Sequence, residues 1–151
     1  MCIICQTPFD DLVKYKYLEI SDCFKIKSIP NNLINLLQLE INNCKNFIFI
    51  PSTLTNLKYI YVEKCPKFVE IPKTLNNLIK LCLIDCIKFK RLINIFPNLE
   101  ILILENCFCL IYIDNNFPKI NILIINNCLL YDTSNIYINN NKDIISSLSS
   151  K

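Results

Sequence analysis

The sequence predicts a solenoid of stacked coils, each a short strand running parallel to its neighbours and then an extended or 3₁₀-like return. Three observations predict it. Cys2, Cys23, Cys44, Cys65, Cys86, Cys107 and Cys128 follow one another at a constant spacing of 21 residues. Aligned on that period, apolar residues fall into columns through most of the chain. Within each unit, the residues before the cysteine alternate apolar and outward-facing side chains, and the stretch after it is short and marked in three units by Pro30, Pro51 and Pro72. A fixed period in the range of 20 to 50 residues marks an architecture in which each unit buries its apolar edge against the next.

The chain divides into a partial N-terminal coil (1–14), six units (15–35, 36–56, 57–77, 78–98, 99–119 and 120–140) and a degenerate half-coil or tail (141–151). In the first part Cys2 is in register with the cysteine column, Cys5 falls at position 12 of a unit and Leu12 near position 19. Position 1 of the six units holds Tyr15, Leu36, Leu57, Leu78, Leu99 and Ile120, and position 4 holds Leu18, Leu39, Ile60, Leu81, Leu102 and Leu123. Position 6 holds Ile20, Ile41, Val62, Leu83, Leu104 and Ile125. Positions 4 and 6 inward with 3, 5 and 7 outward is the period of a half-buried strand. Behind the cysteine, Ile26, Phe47, Phe68, Phe89, Leu110 and Tyr131 share position 12, and Ile29, Ile50, Ile71, Leu92, Ile113 and Ser134 share position 15. A proline forces the preceding residue into extended geometry and offers no amide, so the returns should be extended or 3₁₀-like rather than helical. In the tail, Asn141, Ile144 and Ser146 take positions 1, 4 and 6 of a decaying seventh unit.

The segments "LEISDCFKIKSIPNNLINL" (Leu18 to Leu36) and "LEINNCKNFIFIPSTLTNL" (Leu39 to Leu57) belong to units with an L-x-x-L-x-I-x-x-C core and an "IPxxLxNL" return, as in Ile50-Pro51 to Leu57 and Ile71-Pro72 to Leu78, and in this the chain resembles the leucine-rich repeat family, whose unit is L-x-x-L-x-L-x-x-N/C-x-L. The resemblance implies an α/β-type repeat solenoid with its strands on a concave face and its returns on a convex one. It also implies a non-catalytic module that binds another protein through the strand face. The constant cysteine departs from the family's usual asparagine, which bonds loop backbone. A thiol there is a small apolar group and a weak donor.

Composition narrows the function classes. A hydrophobic fraction of 52% in 151 residues is enough for a core, and no run approaches the ~20 apolar residues of a membrane span. "MCIICQTPFDD" lacks the basic region and apolar length of an export signal, so a cytoplasmic or nuclear location with reduced thiols is expected. Stacked column cysteines would hold their Cβ atoms near the ~4.8 Å coil spacing, wider than a disulfide prefers. Without glycine, turns of positive φ should fall to asparagine, at Asn31-Asn32, Asn76-Asn77, Asn115-Asn116 and Asn126-Asn127. The bias towards Ile and Asn is of the kind an AT-rich genome produces.

Chemistry is sparse. The chain has no histidine and no glycine, which removes the usual nucleophile-activating pairs and phosphate-cradling loops, and no cofactor is expected. Cys2-x-x-Cys5 could be half of a zinc site only if Cys23 or another thiol completed it; packing in the repeat column is the simpler reading. Glu19 and Glu40 occupy equivalent outward positions, an arrangement that acid-base chemistry can use but that solvated repeat surfaces also show. Cys82, at outward position 5, is the thiol expected to be most reactive, or else a plain surface thiol. Lys25, Lys67 and Lys88 share position 11, with Lys27, Lys45, Lys90 and Arg91 nearby, a stripe that could meet nucleic acid or an acidic partner or simply keep the protein soluble.

The outward strand positions point to the candidate site. In the first three units they read Tyr17, Glu19, Ser21, then Gln38, Glu40, Asn42, then Tyr59, Tyr61, Glu63. In the next three they read Lys80, Cys82, Ile84, then Ile101, Ile103, Glu105, then Ile122, Ile124, Asn126. The expectation is a protein partner or self-association site centred on Ile84, Ile101, Ile103, Ile122 and Ile124, with Tyr59, Tyr61 and Glu63 at its polar edge. Two alternatives stand beside it: the tail folding back through Ile144, Ile145 and Leu148 to cover these strands, and a structural or decayed repeat fragment without a ligand.

Overall fold

The computed structural model describes residues 3–5, 9–93, 95–114, 117–130 and 144–147. A 3₁₀ turn (Ile3–Cys5) and a four-residue helix α1 (Phe9–Leu12) precede β1 (Tyr17–Ser21), β2 (Gln38–Asn42), β3 (Tyr59–Glu63) and β4 (Lys80–Ile84). There follow β5 (Arg91–Leu92), β6 (Ile101–Glu105), β7 (Tyr112–Ile113), β8 (Ile122–Asn126) and β9 (Ile144–Ser147). Seven of these strands form one sheet in the order β1-β2-β3-β4-β6-β8-β9, every pairing parallel. The register is the 21-residue repeat itself: Leu18 pairs with Leu39, Leu39 with Ile60, Ile60 with Leu81, and so on to Leu123. The fold is a parallel-strand β-solenoid.

Apart from the four residues of α1 in the partial N-terminal coil, the described returns are not helical, so the α/β-type expectation is met only in its coarse form. The returns end in a tight turn closed by a bond between residues three apart, as in Leu57 N–H to Leu54 C=O (3.2 Å) and Leu99 N–H to Phe96 C=O (3.1 Å), and two of them add a turn before it, Leu54 N–H to Pro51 C=O (3.3 Å) and Leu75 N–H to Pro72 C=O (3.5 Å). Pro51 supplies a preset φ for the first turn and has no amide to leave unpaired.

The corner after each strand departs from the sequence-based expectation. Positive φ occurs at Asp22, Asn43, Lys64, Asp85, Asn106 and Asn127, the residue just before each column cysteine. Of the asparagine pairs expected there, only Asn127 is met; Asn31, Asn32, Asn76, Asn77 and Asn126 keep negative φ, and Asn115 and Asn116 lie outside the described residues. The cause is the ladder. The left-handed residue keeps its N–H aimed at the next coil, as in Asn43 to Glu63 C=O (2.9 Å), while turning the chain so that the following thiol points inward. Asn and Asp are the residues other than glycine that most readily take this conformation, and here their side chains also bond from coil to coil, Asn43 Nδ2 to Asp22 Oδ1 (2.6 Å) and Asn106 Nδ2 to Asp85 Oδ1 (2.8 Å). Lys64 is the exception in chemistry, and it ion-pairs with Glu63 at 2.7 Å.

The inward thiols do more than fill space. Cys44 Sγ lies 3.4 Å from Asn42 C=O and 3.6 Å from Ile20 C=O, and the same two contacts recur at Cys65, Cys86, Cys107 and Cys128. Each thiol thus faces the end of its own strand and the strand of the coil before. Burial is the largest cause pushing Cys65 up to about 12, and it raises Cys86 as well.

A single core runs from Leu12 to Cys128 with no buried polar or charged residue among those described. Phe47, Phe68 and Phe89 stack along it with ring centroids 5.7 and 6.1 Å apart. Two polar ladders tie the returns together. Asn35, Asn56, Asn77 and Asn98 each donate from Nδ2 to a carbonyl 22 residues back, at 2.8 to 3.2 Å, and Thr53 and Thr74 do the same from Oγ1 at 2.6 Å. A second short parallel ladder joins β5 to β7 on the return side, continuing bridges from Ser28 to Phe49 and from Phe49 to Glu70. Among the described residues no helix is long and apolar enough to cross a membrane.

Leu81 and Leu102 are fully buried with a coil on either side, so Leu81→Ala or Leu102→Ala should cost about 2–5 kcal/mol in urea unfolding, because neighbours on both sides prevent collapse into the cavity. A loss below about 1 kcal/mol would remove that column from the core. At the corner, Asn43→Ala should cost about 1–2 kcal/mol through the left-handed backbone. Asn32→Ala should be close to neutral, and equal effects from the two would contradict the corner geometry.

Candidate functional site

Parallel pairing in perfect register sets the outward side chains in three rows across the sheet. Position 3 runs Tyr17, Gln38, Tyr59, Lys80, Ile101, Ile122; position 5 runs Glu19, Glu40, Tyr61, Cys82, Ile103, Ile124; position 7 runs Ser21, Asn42, Glu63, Ile84, Glu105, Asn126. All eight residues named from the sequence lie on this one face. Ile101 and Ile103 pair directly with Ile122 and Ile124, a four-isoleucine square on β6 and β8. Ile122 is 40% exposed, whereas Ile101, Ile103 and Ile124 are half-buried by one another. Ile84 stands apart from the square, in the row between Glu63 and Glu105.

Tyr59 is exposed and Tyr61 half-buried. The Tyr61 hydroxyl donates to Glu63 at 2.5 Å, and Lys64 holds the other carboxylate oxygen at 2.7 Å. The bond to Lys64, then that to Tyr61, keeps Glu63 below the usual carboxylate range, while the accepting carboxylate and partial burial push Tyr61 above the usual phenol range. The same motif recurs at the first strand, where Tyr17 donates to Glu19 at 2.8 Å. That bond, then burial and the nearby charge of Glu40, raises Tyr17 to about 12. Gln38 donates to Glu40 at 2.8 Å. Tyr17, Glu19, Gln38 and Glu40 therefore continue the face named from the sequence. Their outward register is the signal that marks them, although it lacks the contrast in polarity that singles out the isoleucines.

Cys82 corrects the sequence expectation. It is only 3% exposed, and burial pushes its thiol up to about 11. The reason is size: its short side chain sits in register between Tyr61 and Ile103, and both overtop it. Among the described residues the thiols left at the surface are Cys5 and Cys109, and none of the nine described cysteines forms a disulfide.

The tail takes a place at the sheet edge. The backbone of Ile144 and Ile145 pairs with Leu123 and Ile124 in β9, satisfying the open side of β8; Leu148 lies outside the described residues. Cys5 Sγ is 3.6 Å from Cys23 Sγ, Cys2 lies outside the described residues, and among those described no group of three or more metal-binding side chains converges. On the outer side, Lys67 donates to Asn46 at 2.6 Å and Lys45 lies 5.7 Å over the Phe24 ring, so two cations of the stripe have local partners. An open groove on the return side, lined by Phe49, Val69, Ile93, Lys90 and Arg91, has no counterpart in the sequence pattern, because positions 13 and 14 change character from unit to unit and Ile93 stands where three units have proline.

The chain matches no protein family, no curated protein and no solved structure.

The raised pKa of Cys82 carries a sign. Folding holds its proton more tightly than unfolding does, so the linked stabilisation is full below the ordinary value of 9.0 and is lost as pH rises through about 11. In the native protein at pH 8, iodoacetamide should modify Cys5 and Cys109 while Cys82, Cys44, Cys65 and Cys86 stay slow, as read by peptide mass mapping. Fast modification of Cys82 would place it back on the surface.

Proposed function

We propose that this protein is a non-catalytic protein-binding solenoid of the leucine-rich repeat type, which engages a partner through its strand face. The observation that carries the reading is the isoleucine square of β6 and β8. Outward strand positions need no β-branched hydrocarbon for folding, and a contiguous apolar patch on a solvated sheet marks a surface that something covers. Ile101, Ile103, Ile122 and Ile124 form its centre, Ile84 adds an apolar side chain beyond the square, and Tyr59, Tyr61 and Glu63 form the polar edge, the usual division of an interface into apolar core and wet rim.

The repeat pattern, the coil-to-coil strand ladder and the thiols that occupy the loop-bonding position all support the family reading. Column thiols without disulfides fit a reducing compartment, cytoplasmic or nuclear. The hydroxyls of the face, Tyr17 beside Glu19 and Tyr61 beside Glu63, are both pushed above the usual phenol range and so hold their protons, which favours binding over catalysis.

Ile103→Asp with Ile124→Asp should abolish capture of a partner from the native cell, or dimerisation in sedimentation, with a loss of about 1–3 kcal/mol in stability because the two carboxylates would face each other at half-buried positions. If that variant does not fold, Ile103→Thr with Ile124→Thr keeps the strand-forming branch and gives the same readout. Unchanged capture by either folded variant would place the site elsewhere.

A further inference from the structure

The proposed binding face is asymmetric, and its asymmetry describes the partner. Of the outward positions on β1 to β4, β6 and β8, four are carboxylates (Glu19, Glu40, Glu63, Glu105) and only Lys80 is a cation, although the whole chain carries a formal charge of +3. Glu63 has Lys64, but among the described residues no cation ion-pairs with Glu19 or Glu40, which face each other directly across β1 and β2. Like charges set opposite on neighbouring strands destabilise a sheet, and a cation placed between them removes that cost. Tyr17 on β1 and Tyr59 on β3, 44% and 41% exposed, stand in the neighbouring row on either side of β2, and aromatic rings beside carboxylates suit a basic side chain. At the other end of the same row stand Ile103 and Ile124.

Resting on the strand-face reading, we propose that the partner is an extended peptide segment lying across the strands, with a lysine or arginine between Glu19 and Glu40 and an apolar side chain on the isoleucine square. Geometry fixes the spacing. Glu40 and Ile103 are three strand intervals apart, about 14 Å at ~4.8 Å each, and Glu19 to Ile103 is four, about 19 Å. An extended chain rising ~3.3 Å per residue covers these distances in about four to six residues. Even separations put both side chains on the same side of that chain. The ligand motif is therefore a basic residue and an aliphatic or aromatic residue at i,i+4 or i,i+6. A second copy does not fit as well, since turning the face onto itself about its centre sets Glu19 and Glu40 against isoleucine.

The test is selection of a random twelve-residue peptide display library on the immobilised full chain, repeated with Glu19→Gln/Glu40→Gln and with Ile103→Thr/Ile124→Thr. Wild type should enrich Lys or Arg at least threefold over the library, four or six residues from an apolar residue. The glutamine variant should keep the apolar residue and lose the basic enrichment, and selected peptides should bind it at least tenfold more weakly. No enrichment, enrichment of acidic residues, or a basic preference that survives in the glutamine variant overturns the proposal. Basic enrichment that depends on the glutamates but survives the isoleucine variant instead overturns the apolar centre, and with it the functional reading, while leaving the cation subsite standing.

Discussion

One constraint governs the molecule: every coil must meet the next with its backbone in register, because the strand amides have no partner within their own coil. Lys16 C=O takes N–H groups from both Leu37 and Gln38, Leu37 C=O those of Lys58 and Tyr59, and the pattern repeats to Glu100 with Asn121 and Ile122. A change of one residue in any unit would turn inward side chains outward across the sheet. This is why the period does not vary, and why the side-chain bonds repeated between coils link residues a fixed 21, 22 or 24 apart.

The same register makes the face. Side chains at one position are aligned in rows without any device dedicated to the site, so changes at three positions per unit rewrite the surface while the core columns stay as they are. The character of the face then depends on neighbours rather than on single residues. Cys82 disappears because Tyr61 and Ile103 are large, Ile101 is half-covered because Ile122 stands beside it, and Glu63 is held below its usual range by Lys64 and Tyr61 together.

Columns are legible in the sequence because burial repeats their chemistry. Among the described residues, the strands, the inward thiols and the apolar side chains at positions 4, 6, 12 and 15 all lie where periodicity places them, and so do the outward Tyr59, Ile103 and Ile124. Corners are less legible. Asparagine pairs in the returns look like turns of positive φ, but the left-handed residue is fixed by the need to keep a strand amide aimed at the next coil, a constraint that also accepts Asp22 and Lys64. The burial of Cys82 is hidden for a different reason: alternation gives a direction and not the height of the neighbours. The ladder through Ser28, Phe49 and Glu70 leaves no compositional trace, since its backbone bonds do not specify side chains.

The three stacked phenylalanine rings have a kinetic meaning. A stack of coils has no contact joining its two ends, so it opens from its ends inward, one coil at a time, and its stability varies along its length. Phe47, Phe68 and Phe89 tie together three successive coils through rings that smaller Ile26 and Leu110 do not continue on either side. The middle of the array is thus the last part to unzip and the natural place for a refolding nucleus, while the two ends of the strand face, the anionic one and the isoleucine one, open and close on either side of it.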